Sequence, residues 1–297
     1  MHAGFEQELS AIVAAHGGGG GERGSRAHAA ERLVRTGSGG GLEWQGVGLA
    51  SHFQPVFAVR EPGCHGYEAL LSATDIDGRA VDSGELFARS VPSERPTLDW
   101  ACRALHLRNY ATVDPGDRML FINVHPEAAA RDARRALEFG DLIRYYGLHP
   151  KRVCIEILEC DCSDEAALRD AVMAYRSLGT CVALDDFGVG CSDFGRVKSL
   201  RPDVVKVDRS VIGTWGATEV GRKALRQMVT DLRACGAKVA IEGVETREEA
   251  LLAVDVQADY LQGRYFAVPN EGLGGEMVGT QALDQLLNPR PSRRAAA

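Results

Sequence analysis

The segment ALDDFGVG (183–190) sets two carboxylates, Asp185 and Asp186, side by side at the end of an apolar run. Adjacent like charges repel, so the pair gains little unless a cation or a proton offsets that repulsion. Taken alone, a solvated turn is the simpler reading, with Asp186 capping a backbone NH. Six other polar residues, however, stand inside or at the ends of short apolar runs: Glu68 in YEALL, Asn123 in FINV, Glu156 in IEIL, Lys206 in VVKV, Glu242 in VAIEG and Gln262 in YLQG. Oxygen donors from Glu68, Asn123, Glu156 and Asp185 suit a hard ion such as Mg²⁺ or Mn²⁺ better than zinc. The histidines at 52, 65, 106 and 125 are not grouped as a metal site. Asp186 then serves a second ion, and two ions about 4 Å apart can clamp a phosphoryl group for in-line attack by a bridging hydroxide. Under this reading the repulsion between the two aspartates is offset by adjacent metals.

Chemistry of this kind requires the seven runs to converge. Strands are predicted at LASHFQPVFAV, HGYEALLSA, RMLFINV, RVCIEIL, CVALDD, DVVKVD, AKVAIEG and ADYLQG. Between them lie segments of helical periodicity, among them TLDWACRALHLRNYA, DEAALRDAVMAYRSLG, GRKALRQMVTDLRACG and TREEALLAV. Alternation of strand and helix implies parallel pairing, and about eight strands suggest closure into a βα barrel. An open doubly wound sheet is the alternative, but no GxGxxG follows the first strand. In a parallel barrel the C-terminal strand ends meet at one mouth, where active sites are built. Trp100, within LDWACRAL, reads as core.

The bulk properties agree with an ordinary globular enzyme or receptor. The chain has 297 residues, 45% hydrophobic and 25% charged, with a formal net charge of −7. Such acidity argues against a protein that grips a nucleic-acid polymer through its phosphates. Eight scattered cysteines, several inside apolar runs, read as free thiols, and Cys160 with Cys162 has no second pair at zinc-finger spacing. No segment is apolar for long enough to span a bilayer, so no membrane partner and a cytoplasmic location are expected. Residues 1–45 read as a flexible glycine-rich leader with short helical fragments. Residues 46–280 read as the barrel, and 281–297 as a basic, proline-containing tail.

YEALL, FINV, IEILE, DDFGVG, VKVDRS, EGVET and YLQG occur in this order, and together they resemble the EAL-domain family of bacterial cyclic di-GMP phosphodiesterases. The resemblance implies an α/β fold, a modified TIM-type (βα)8 barrel with one antiparallel strand. It also implies hydrolysis of cyclic di-GMP to linear pGpG, dependent on Mg²⁺ or Mn²⁺ and inhibited by Ca²⁺, in a homodimer formed through helices near residues 190–235. It assigns metal ligation to Glu68, Asn123, Glu156, Asp185 and Asp186, and catalytic roles around the attacking water to Lys206, Glu242 and Asp186. Gln262 is expected to hold that network at the substrate, Gln54 to meet guanine or ribose, and Glu159 and Glu245 to anchor the loop after the aspartate pair.

This chain also departs from the family. Ser72 stands where most active members carry an arginine that meets a substrate phosphate. Loss of such a charge-assisted hydrogen bond, worth about 1.5–3 kcal/mol, weakens binding by roughly ten- to a hundredfold if nothing replaces it. Val189 and Cys191 replace threonine and tyrosine in the aspartate loop, and Leu158 replaces threonine in IEILE. A non-catalytic cyclic di-GMP receptor and a barrel that only recruits a protein partner are the alternatives to the enzyme.

Overall fold

The computed structural model describes residues 40–113, 116–130, 133–158, 164–188 and 194–288. The leader through residue 39, Glu159, Val189, Cys191 and the end of the tail lie outside them. Ten strands form one sheet: β1 (Leu42–Trp44), β2 (Val47–Ala58), β3 (Gly63–Thr74), β4 (Ala80–Val81), β5 (Met119–Val124), β6 (Val153–Ile157), β7 (Cys181–Phe187), β8 (Val204–Val207), β9 (Lys238–Ile241) and β10 (Tyr260–Leu261). The helices are α1 (Ser83–Arg89), α2 (Arg95–Val113), α3 (Pro126–Ala130), α4 (Ala133–Tyr145), α5 (Glu165–Ser177), α6 (Phe194–Leu200), α7 (Arg209–Trp215), α8 (Glu219–Ala234), α9 (Arg247–Asp255) and α10 (Glu276–Leu287).

All eight strands expected from the sequence are present, and they close on themselves in the order β2-β10-β9-β8-β7-β6-β5-β3-β2. Six of the eight seams are parallel, and both seams of β2 are antiparallel. The single antiparallel strand is therefore β2, while β1 and β4 extend the edges of β2 and β3 as short hairpin partners. Residue alternation with period two divides each strand between two cores. Ile122, Ile155, Leu184, Val205, Ile241 and Leu261 face the helices in the larger cluster, whereas Phe121, Cys154, Ala183, Val204, Ala240, Tyr260 and Val56 fill the barrel. On β3 the inward position of this layer is Gly66, where a Cβ would stand 2.3 Å from the Met119 carbonyl oxygen.

The helices begin on local signals that the sequence contains. Thr246 and Glu249 form a reciprocal capping box at α9, and Asp82, Asp164, Asp208 and Thr218 cap α1, α5, α7 and α8. Trp100 is buried on α2, edge-on to Phe139, with the Arg103 guanidinium 5.0 Å from its ring. Cys64, Cys102, Cys154, Cys181 and Cys235 are free thiols, as expected. Among the described residues no helix is long and apolar enough to cross a membrane.

The last helix seats on β2 by a close approach. A Cβ on Gly279 of α10 would lie 2.0 Å from Phe57 Cζ, and Phe57 is wholly buried. Gly279→Ala is expected to destabilise the chain by about 1–3 kcal/mol through overpacking. The check is a lower denaturant midpoint at unchanged slope; an unchanged midpoint would mean that α10 shifts freely on the barrel.

Candidate active site

The period-two alternation that buries the inner layer also aims the polar residues. Asn123, Glu156, Asp185, Lys206, Glu242 and Gln262 each lie two positions after an inner-layer residue, so all six point into the barrel at the C-terminal ends of the parallel strands. Gln54 lies two positions before Val56 because β2 runs the other way, and it faces Glu68 directly across the β2–β3 seam. Convergence of the sequence-predicted set is therefore a property of one barrel end.

Lys206 stands at the centre of this set. Its Nζ is 2.8 Å from Glu156 Oε1, 3.1 Å from Glu68 Oε2 and 3.2 Å from Asp185 Oδ1, and it also pairs with Glu242. Amides hold the acids from the other side. Gln262 Nε2 donates to Glu68 Oε2 at 2.7 Å and to Gln54 Oε1 at 3.1 Å, while Asn123 Nδ2 donates to Glu68 Oε1 at 2.9 Å. The Gln54 amide is itself tied to the Ala267 carbonyl oxygen at 3.0 Å. Gln54 thus positions Gln262 and Glu68 within the wall.

Four acids surround one ammonium. Glu156 and Lys206 are 0% and 1% exposed. Burial, reinforced by the charges of neighbouring acids, pushes the Glu156 carboxyl well above the usual range and also raises Asp185, in each case against the pull of Lys206. Glu68 goes the other way: burial opposes its charge, but Lys206 and the Gln262 and Asn123 amides outweigh it and lower its pKa. Burial likewise opposes the Lys206 charge, and Asp185, Glu156 and Glu68 together hold its pKa well above the ordinary value.

Excess negative charge and orphaned acceptors fit a hard divalent cation. Glu156 Oε2, Asn123 Oδ1 and Gln262 Oε1 are buried and accept no hydrogen bond. Oxygen atoms of Glu68, Glu156 and Asp185 lie within 4.8 Å of one another, and so do those of Asp185, Asp186 and Glu242. Asp185 belongs to both groups, and neither contains histidine. This donor chemistry suits Mg²⁺, Mn²⁺ or Ca²⁺.

A regular strand would send Asp185 and Asp186 to opposite faces. Here the β7–β8 register shifts between Leu184 and Phe187, and Asp186 has φ 50°, in the left-handed region. Local strain of this kind clusters at functional sites. The irregularity brings oxygens of both carboxylates within 4.8 Å of each other and of Glu242, with Asp185 buried and Asp186 exposed.

Two sequence-predicted residues stand apart from the acids. Ser72 is on the Glu68 face of β3 but four residues further out, roughly 13 Å along the strand, opposite Ala50. Glu245 pairs with Arg209 at 2.6 Å and Arg264 at 2.9 Å, linking the start of α7 to the loop after β10. Sequence reading passed over a cavity of about 450 Å³ beside Asn123, walled by Leu70, Phe87, Pro92, Pro96 and Leu158 with Arg95 at its edge. Its signal was weak because α1, which supplies Phe87, is only seven residues long.

Residues 45–269 match the family model for the EAL domain. The chain belongs to the EAL-domain family. The motif that gives the family its name is Glu68, Ala69 and Leu70, so its glutamate is the β3 acid held by Lys206, Asn123 and Gln262. This EAL domain is 30% identical over 244 residues to the probable cyclic di-GMP phosphodiesterase PdeD of Escherichia coli K12, covering 75% of this chain and 43% of that protein. It is 24% identical over 236 residues to the cyclic di-GMP phosphodiesterase NbdA of Pseudomonas aeruginosa, with 74% and 29% covered. The chain spans less than half the length of these curated relatives. Among solved structures, the calcium and cyclic di-GMP complex of Klebsiella pneumoniae BlrP1 superposes with TM-score 0.69 at 25% identity, over 76% of this chain and 57% of that one. The cyclic di-GMP-bound form of a standalone EAL protein from Vibrio cholerae O395 gives 0.68 at 25% identity, over 76% and 94%.

Proposed function

We propose that this EAL domain hydrolyses one phosphodiester bond of cyclic di-GMP to give linear pGpG, using Mg²⁺ or Mn²⁺. The observation that carries the reading is the pair of oxygen-donor groups sharing Asp185 around one buried lysine. Glu68, Asn123, Glu156 and Asp185 would hold one ion, and Asp186 a second beside Glu242. Bound there, the ions would supply an activated water and neutralise phosphoryl charge. Glu242 is partly exposed at the mouth and contacts Lys206, so its carboxylate is placed to accept the proton of the attacking water. The Lys206 ammonium balances charge developing on the phosphoryl oxygens. As the water oxygen bonds to phosphorus, the bond from phosphorus to one ribose oxygen breaks, and that oxygen takes up a proton from solvent and leaves as a hydroxyl. Gln54 and Gln262 keep the Glu68 wall in place, and Ser72 lines the outer approach. Ca²⁺ would occupy the same oxygens without supporting turnover. Helices α7 and α8 would form a homodimer contact, where Trp215 and Val220 are exposed.

Ser72 favours a second reading, a receptor that binds cyclic di-GMP without cleaving it. The deciding experiment incubates the protein with cyclic di-GMP and Mn²⁺, separates pGpG by chromatography, and titrates binding in Ca²⁺. Product that disappears in Glu68→Ala is expected. Tight binding without product would replace the enzyme by the receptor, and neither binding nor product would leave a barrel that recruits a protein partner.

A further inference from the structure

We infer that the Lys206 ammonium is the resident counter-cation of the acid cluster and is partly exchanged when divalent ions enter, so that it sets how tightly they are held. The inference rests on the metal-binding reading above. Lys206 pairs with Glu68, Glu156, Asp185 and Glu242, which are four of the five acids in the two oxygen-donor groups. An ammonium has three hydrogens, so four carboxylates saturate it. A divalent ion sits about 2.0–2.6 Å from its oxygens. Each donor group spans no more than 4.8 Å, so such an ion would lie among carboxylates that Nζ already pairs with, Glu68, Glu156 and Asp185 in one group and Asp185 and Glu242 in the other. Two cations in that space repel, and the side chain of Lys206 must give up contacts.

The backbone cannot retreat to make room. Lys206 is paired in register with Ala240 of β9, in a strand bonded on both edges. Movement is confined to the side chain, and a neutral partner is within reach. Gln262 Oε1 is a buried acceptor with no donor, and its own amide nitrogen shares Glu68 Oε2 with Lys206. The lysine therefore holds the acids together when no metal is bound and weakens divalent binding when it is.

The test compares the full chain with Lys206→Met, which keeps length but removes charge, and Lys206→Arg, which keeps charge. Mn²⁺ affinity is read by calorimetry, and melting is followed with and without Mn²⁺. Lys206→Met is expected to bind Mn²⁺ at least about tenfold more tightly, to melt several degrees lower without metal and to recover with it; Lys206→Arg is expected to stay near the parent affinity. Equal Mn²⁺ affinity in parent and Lys206→Met overturns the exchange and leaves the metal reading standing. No Mn²⁺ binding by either protein overturns both. If Lys206→Met does not fold even with Mn²⁺, the parent decides: the ¹⁵Nζ resonance of Lys206 must move at saturating Mg²⁺, and a stationary resonance overturns the inference.

Discussion

Replacing Glu156 by glutamine is expected to lower cyclic di-GMP hydrolysis by about a thousandfold or more while raising the melting temperature of the metal-free protein. The two effects share one cause. Glu156 is fully buried among Glu68, Asp185 and Lys206, and its second oxygen accepts no hydrogen bond. One lysine cannot neutralise this many acids, so the folded state holds a charge that water would solvate better. Glutamine keeps the shape and removes the charge. A gain of about 1–2 kcal/mol would raise the midpoint by roughly 2–4 °C per kcal/mol in a domain of this size. The same change removes a ligand from the buried donor group, and a thousandfold loss corresponds to about 4 kcal/mol of transition-state stabilisation. Calorimetric melting beside the chromatographic assay checks both parts. Lost activity without a higher melting temperature would mean that Lys206 already offsets the Glu156 charge.

Asp186→Asn is expected to leave melting nearly unchanged and to lower hydrolysis by about a hundred- to a thousandfold, while Asp186→Val lowers both. Position 186 has φ 50°, which asparagine adopts readily and a β-branched side chain does not. Valine there adds about 1–3 kcal/mol of backbone strain, whereas asparagine removes only the charge. Titration of Mn²⁺ should show two ions in the parent and one in Asp186→Asn. Two ions in Asp186→Asn would place the second site elsewhere.

Much of the fold was legible because its signals are local. Strands such as RVCIEIL and DVVKVD stand out as short apolar runs, and the longer helices α2, α5, α8 and α9 show their period over several turns. Helices α1, α3, α6 and α7 contain five to seven residues each, fewer than two full turns, so no period can be read from them. The cavity beside Asn123 went unseen for that reason, since Phe87 comes from α1 and Arg95 from the helix that follows it.

Within the candidate site, residue type and position on a strand were enough to select Glu68, Asn123, Glu156, Asp185, Lys206, Glu242 and Gln262, because an acid, amide or amine at the end of an apolar run needs a polar destination. Their order along the chain also matched a family whose barrel carries one reversed strand. Sequence could not decide which neighbours each residue meets, because those contacts join positions as far as 208 residues apart, as between Gln262 and Gln54. Barrel closure through β2 decided that, placing Gln54 opposite Glu68 and leaving its amide occupied within the wall. The opening pair was settled the same way. Two adjacent aspartates join one donor group with Glu242 only because the β7–β8 register slips and Asp186 turns left-handed, and a regular strand of the same sequence would have parted them.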